Sequence, residues 1–374
     1  MKKNLLALAA LSLSAAAAQA QTNVTIYGSI DGGVRYASNQ NANGNSKVTV
    51  GSTGTYQSNR LGFKGVEDLG GGLDAHFNLE QGFNTGTGAV ADPTRLFNRA
   101  AFVGLGGKWG SLDLGHQYTV AFKTIGAYEP FNYKYSNIIP AGGVSSSAGL
   151  RYDNDIQYAG VFGPFTARAE YALGEVAGGG NKGSAAAVGG TYANGPLSIG
   201  GAYTRRKPSI LANGFGAAAG AANSSYQDND AWTVGASYVF SPGRIAAGYS
   251  RETQDRANKA STQQYNAWIG GSYDLTPALA LTAGYYHTKV DNLAFSAAAG
   301  AAPTGTRQLF MVGGTYALSK RTNLYADIDY ARFKDGLANV PAARSGGLSG
   351  ASQLPLASPR ESQLGVSFGI NYLL

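Results

Sequence analysis

The chain contains no cysteine, which excludes disulfide frameworks, cysteine-held zinc, iron–sulfur clusters and thiol nucleophiles together. Charge is scarce as well. Asp, Glu, Lys and Arg supply 14% of 374 residues, against roughly a quarter in ordinary soluble domains. Hydrophobic content is an unexceptional 44%, so the missing charge has gone to Gly, Ser, Thr, Asn and Gln rather than to a larger apolar core. Only three histidines occur, His76, His116 and His287. They fall on separate expected strands with no Ser or Asp constellation beside them, so no catalytic residue, metal site or cofactor is expected. The formal net charge of +7 is dilute over this length and carries no aromatic–basic motif, so nucleic acid is not an expected partner.

Long apolar runs are also missing, except at the start. Lys2 and Lys3 precede an apolar stretch from Leu5 to Ala18, and Ala18-Gln19-Ala20 fits the small-x-small cleavage pattern, the signature of an export signal. The stretch is too short to span a bilayer, which takes about 20 apolar residues. Residues 1–20 are expected to be a cleaved leader, and 21–374 one domain. With no helix-length span left, the mature chain is soluble after export or crosses a membrane as a closed barrel.

What the sequence has in abundance is glycine, 54 residues or roughly twice the average share, together with a period of two. Leu364, Val366, Phe368, Ile370, Tyr372 and Leu374 alternate with Gln363, Ser367, Gly369 and Asn371. The same dyad sets Leu324, Ala326, Ile328 and Tyr330 against Asp327 and Asp329, and Val24, Ile26, Ile30 and Val34 against Thr25, Ser29, Asp31 and Arg35. Strands of about ten residues with one apolar and one polar face are what a tilted membrane-crossing strand requires. A short repeat supports this: Val188-Gly-Gly-Thr-Tyr192, Val234-Gly-Ala-Ser-Tyr238, Ile269-Gly-Gly-Ser-Tyr273 and Val312-Gly-Gly-Thr-Tyr316. Each copy stands before a turn, so each marks the same level of successive hairpins, with its Tyr in an interfacial aromatic girdle. About sixteen strands can be counted, joined alternately by short and long connections. The expected fold is all-β, a transmembrane antiparallel β-barrel with tight turns at one rim and long external loops at the other.

Four segments carry a resemblance: Val24-Thr-Ile-Tyr-Gly28; Ser58-Asn-Arg-Leu-Gly-Phe-Lys-Gly-Val-Glu-Asp-Leu-Gly-Gly-Gly-Leu73; Ala101-Phe-Val-Gly-Leu105 with Leu114-Gly115 and Gln117; and Leu318-Ser-Lys-Arg-Thr-Asn-Leu-Tyr325. Over its whole mature length the chain resembles the trimeric general-diffusion porins of Gram-negative bacteria, especially the beta-proteobacterial type. Two departures are His116 before Gln117, where the family often has Arg, and a chain end of Tyr372-Leu373-Leu374 in place of a terminal Phe.

The chemistry of such a channel is a size filter with a charged eyelet, so ionisable residues facing the lumen are the candidates. Arg60 and Lys64 oppose Leu61 and Phe63, and Arg151, Asp153, Asp155 and Gln157 oppose Tyr152, Ile156 and Tyr158. Arg99 shares its phase with Phe97 and Val103, so alternation does not assign it. The resemblance implies an arginine cluster of Arg60, Arg99 and Arg151 on one wall. It also implies that the third loop, Tyr118 to Gly149, folds into the barrel with Glu129 of Glu129-Pro130-Phe131 at its tip. Gly28 and Gly32 share the outward phase of the first strand and leave a flat wall for a neighbouring barrel, so the homotrimer the resemblance implies is expected to meet there. The expected function is passive diffusion of ions and small hydrophilic solutes through an outer membrane, with lipid around the barrel and a weak preference for anions. A substrate-specific channel would instead show saturable block by one solute class. A surface adhesin or secreted β-protein would leave the outward Leu/Val/Tyr band without a partner.

Overall fold

The computed structural model describes residues 23–41, 43–51, 56–139, 150–207, 226–256, 261–292, 304–335, 337 and 361–374. The expected leader lies outside them, as do the Ala/Gly-rich pieces at 215–222 and 295–302. The strands run β1 (Asn23–Ala37), β2 (Lys47–Gly51), β3 (Arg60–Gly70), β4 (Leu73–Gly82), β5 (Ala100–Gly107) and β6 (Gly110–Tyr118). After the third long connection come β7 (Arg151–Phe162), β8 (Phe165–Ala172), β9 (Ala185–Asn194), β10 (Leu197–Arg206), β11 (Tyr226–Phe240) and β12 (Gly243–Arg256). The circuit ends with β13 (Ser261–Asp274), β14 (Leu279–Asp291), β15 (Gly305–Ala317), β16 (Thr322–Asp335) and β17 (Ser362–Leu373).

All pairings are antiparallel, and the sheet closes on itself. Strand β1 pairs with β17 over Ser29↔Leu373 to Ala37↔Gly365, and on its other edge with β3 over Asn23↔Val66 to Ser29↔Arg60. The short β2 continues along that second edge, Gly33↔Gly51 to Ala37↔Lys47. Seventeen strands therefore make sixteen staves, the number the alternation suggested, and no edge is left open. Closure gives every stave a hydrogen-bonded neighbour on both edges, the condition for crossing hydrocarbon without a helix. Among the described residues, no helix is long and apolar enough to cross a membrane.

The dyad reads out as expected on the wall. Val312 and Ile328 are 56% and 57% exposed on the outer face, while Asp327 and Asp329 are buried on the inner one. The four repeat copies lie on β9, β11, β13 and β15, each one hairpin apart, with Val188, Val234, Ile269 and Val312 exposed on the outside. Their short connections sit at one rim. In the β3–β4 turn Gly70, Gly71 and Gly72 all have positive φ, +83°, +64° and +81°, a path that side chains rarely follow.

One phase is corrected. The sequence placed Arg151, Asp153, Asp155 and Gln157 on a single face. Asn154 adopts φ 54° and the β6–β7 register slips between Gly115 and Gln117. A bulge of this kind adds a residue and flips the phase beyond it. Asp155 and Gln157 are buried inside the barrel, Tyr152 is buried too, and Asp153 is carried away to Arg95 and His116.

The larger buried apolar cluster is not between wall strands. It forms where the third loop packs on the inner wall, joining Val120, Ile125, Tyr128, Phe131, Tyr135 and Ile138 to Trp268, Leu309, Met311, Tyr325 and Phe333. The third loop therefore folds into the barrel. It opens with a short helix α1 (Val120–Ile125), which Thr119 caps by accepting the Phe122 N–H at 3.2 Å, and a 3₁₀ turn at Gly126–Tyr128 follows.

Candidate functional site

The repeat explains how the loop is seated. Its second residue is a glycine on the inward phase in every copy, and each lies against a piece of the loop. A Cβ on Gly189 would come within 2.7 Å of Val120 and Thr124 side chains, and one on Gly235 within 2.6 Å of Tyr128. One on Gly270 would reach Pro130 at 2.8 Å, and one on Gly313 would touch Phe131 at 3.3 Å. A track without side chains thus runs round the wall at one level, and the loop follows it.

Wall side chains then hold the loop's backbone. Trp268 Nε1 donates to the Tyr128 carbonyl at 2.8 Å, Arg307 Nη2 to that of Ile138 at 2.8 Å, and Arg244 Nη2 to those of Ala127 and Glu129 at 2.5 and 3.1 Å. These donors pair the Ala127, Tyr128 and Ile138 carbonyls, while the Glu129 carbonyl also accepts the Asn132 N–H at 3.0 Å within the loop. Glu129 belongs to this anchoring. Its carboxylate accepts the Tyr133 N–H at 2.7 Å and the Tyr286 hydroxyl, and it is buried. Burial pushes its carboxyl up from the ordinary range, and the Tyr286 and Tyr133 bonds pull it down. The structure does not bring Glu129 to face the arginines.

What the loop leaves open is a cavity of about 430 Å³ on the opposite side. The structure brings Arg60, Arg99 and Arg151 together on its wall, with Lys134 of the loop beside them. Tyr118, at the end of β6, ties two of them: its Oη accepts from Arg99 Nη2 at 2.7 Å and from Arg151 Nη2 at 2.5 Å. The Arg151 guanidinium also lies 4.1 Å from the Tyr118 ring centre, a cation–π contact. Behind it Tyr118, Phe122 and Tyr133 stack at 4.3 and 4.2 Å, fixing the loop helix to the cluster.

Glu80 is the one carboxylate among the described residues lining this cavity. It accepts Arg99 Nε at 2.6 Å and Tyr27 Oη at 2.9 Å, with Arg60 Nε at 3.6 Å. Lys134 donates to Gln57 and lies 4.9 Å from the Tyr56 ring centre; burial and the neighbouring Arg60 push its ammonium down to about 8. Lys64 also faces the lumen but lies off the cavity wall, 5.3 Å from the Tyr27 ring centre.

Sequence reasoning missed Glu80, Lys134 and Tyr118 as members of this group. Glu80 was legible, because Asp74, His76, Asn78 and Glu80 alternate with Leu73, Ala75, Phe77 and Leu79. Two of the three histidines, His76 and His116, proved to have carboxylate partners. His76 bridges Asp74 at 2.9 Å and Asp113 at 2.8 Å, and His116 meets Asp153 at 2.6 Å. Among the described residues no three His, Cys, Asp or Glu are arranged to hold a metal ion.

A closed sixteen-stave barrel, apolar outside, narrowed by an inserted loop and lined with charge beside it, defines an aqueous outer-membrane channel. The chain belongs to the Gram-negative porin family, whose profile matches residues 7–336. It is 31% identical to an outer membrane porin protein of Bordetella pertussis, over 89% of this chain and 94% of that one. It is also 31% identical to outer membrane porin protein 32 of Delftia acidovorans, over 100% of this chain and 99% of that one. Among solved structures, the anion-selective porin from Comamonas acidovorans superposes with a TM-score of 0.77 at 25% identity, covering 95% of this chain and all of that one.

Proposed function

We propose that this porin passes small anions in weak preference to cations, with Arg60, Arg99 and Arg151 lining its constriction and Lys134 adding a fourth positive charge. The observation that carries the reading is the imbalance at the cavity, four cationic side chains against the single carboxylate of Glu80. Fixed charge within a Debye length, about 8 Å at physiological ionic strength, sets the sign of selectivity, and more distant charge is screened. On the wall strand β16, Asp329 is matched locally, accepting from Arg35 at 2.7 and 3.0 Å. The anion selectivity of the Comamonas porin supports the same sign. Lys64 acts on the approach to the constriction, and Glu129 acts by anchoring the loop.

The apolar outer band meets outer-membrane lipid, and the working assembly is a trimer packed through the first strand. Gly32 is the usable point of that contact, since nothing lies within 4 Å of a Cβ placed there. Gly28 shares the outward phase, but a Cβ there would collide with the backbone oxygen of Arg60 on β3, so its glycine serves the barrel's own ladder. Arg151→Ala tests the constriction in planar bilayers. Conductance should rise and the reversal potential should move toward cation preference, because a wide side chain and a fixed positive charge leave together. Both values unchanged would remove Arg151 from the constriction.

A further inference from the structure

Tyr118 does more than tie two arginines. A hydroxyl has two acceptor lone pairs and one proton to donate. Both acceptor sites of Tyr118 Oη are taken, by Arg99 Nη2 at 2.7 Å and Arg151 Nη2 at 2.5 Å. Among the described residues no hydrogen bond uses its proton, and the side chain lines the open cavity. The ring cannot swing to find another partner. Its position is fixed by Arg151 at 4.1 Å and by the Phe122 stack at 4.3 Å. The one carboxylate of the cavity, Glu80, is already engaged by Arg99, Tyr27 and Arg60.

We propose that Tyr118 is a specificity-determining residue of the pore, presenting its O–H between two guanidinium groups as a directed donor that favours carboxylates over chloride. The proposal rests on the anion-preferring reading above. A carboxylate has two oxygens and several lone pairs, so one oxygen takes the arginine fork while the other takes the phenol proton. Chloride accepts hydrogen bonds too, but as one large, diffusely charged centre it takes a weaker one from a phenol than a carboxylate oxygen does, for which the O–H···O⁻ bond is short and charge-assisted. The hydroxyl therefore adds more for a carboxylate, which can hold the phenol proton and an arginine on separate oxygens, than for chloride.

The test is block of KCl current by succinate in planar bilayers, comparing wild type with Tyr118→Phe. The variant keeps the aromatic stack and both arginines. Its half-blocking succinate concentration should rise roughly ten-fold, the effect of one lost hydrogen bond to a charged group, while its KCl reversal potential stays close to that of wild type. An unchanged half-blocking concentration would overturn the role of Tyr118 alone. Wild-type pores that prefer potassium and ignore succinate would overturn the anion reading, and this inference with it. Should the variant not fold, crystals of the wild type grown with succinate decide: a carboxylate oxygen within about 3 Å of Tyr118 Oη supports the proposal, and a carboxylate seated away from that hydroxyl contradicts it.

Discussion

Adding one methyl group at Gly235 should change the channel without harming the barrel. A Cβ on Gly235 would lie 2.6 Å from Tyr128 Cβ and 2.8 Å from its Cγ and Cδ2. Carbon atoms rest about 3.5–4.0 Å apart, so relief requires a movement of roughly 1 Å. The obstructing atom sits next to the loop backbone, so a rotamer change of Tyr128 does not give that relief. Strand β11 cannot yield, because Gly235 is paired on both sides, to Gly200 and to Gly248. The loop must therefore shift toward the pore axis. In doing so it strains the Trp268 bond to the Tyr128 carbonyl and the 2.9 Å contact between Tyr128 Oη and Ser198 Oγ. Overpacking of this kind costs about 1–3 kcal/mol, a penalty borne by loop docking while the wall ladder stays intact. Gly235→Ala should lower single-channel conductance and raise open-channel current noise. The heat-induced mobility shift of the folded barrel on gels should be that of wild type. A variant with wild-type conductance and noise would refute the claim that the repeat glycines seat the loop.

Lys134 should give the selectivity a pH dependence in the alkaline range. Its ammonium is held down at about 8, so its charge is present below that pH and lost above it. Anion preference measured by reversal potential should be weaker at pH 9 than at pH 7, and Lys134→Met should be insensitive to that change; an equal slope in the variant would assign the effect elsewhere. Gly32→Leu fills the open spot on the outer face of β1 and should lower the temperature at which the oligomer dissociates while the monomeric barrel stays folded. An oligomer as heat-stable as wild type would place the contact on another face.

The wall was legible because its rule is local. Alternation along β17 or β16 depends only on which of two faces meets lipid, and it assigned Arg60 and Lys64 correctly from Leu61 and Phe63. Where the rule breaks, the alternation carries no warning of it. Nothing local marks Asn154 as the bulge that turned Asp153 away from its expected face. Arg99 stands just outside β5, beyond the reach of alternation, and only resemblance placed it. Partners far apart in the chain were hidden for another reason: Tyr286 lies 157 residues from the Glu129 it holds. The inward glycine of the repeat was in plain view. The repeat as a whole marks hairpin level, and an inward position that repeatedly lacks a side chain also signals that something lies against it.

Chloride preference at low salt is the outcome on which the reading of the arginine cluster stands or falls. The purified protein in a planar bilayer, held across a shallow KCl gradient, should give a reversal potential of the sign that marks chloride as the more permeant ion. The preference should be strongest at low ionic strength and fade as salt screens the cluster. A clear potassium preference at low salt would contradict it, because Arg60, Arg99, Arg151 and Lys134 could not then be the charges nearest the permeating ion.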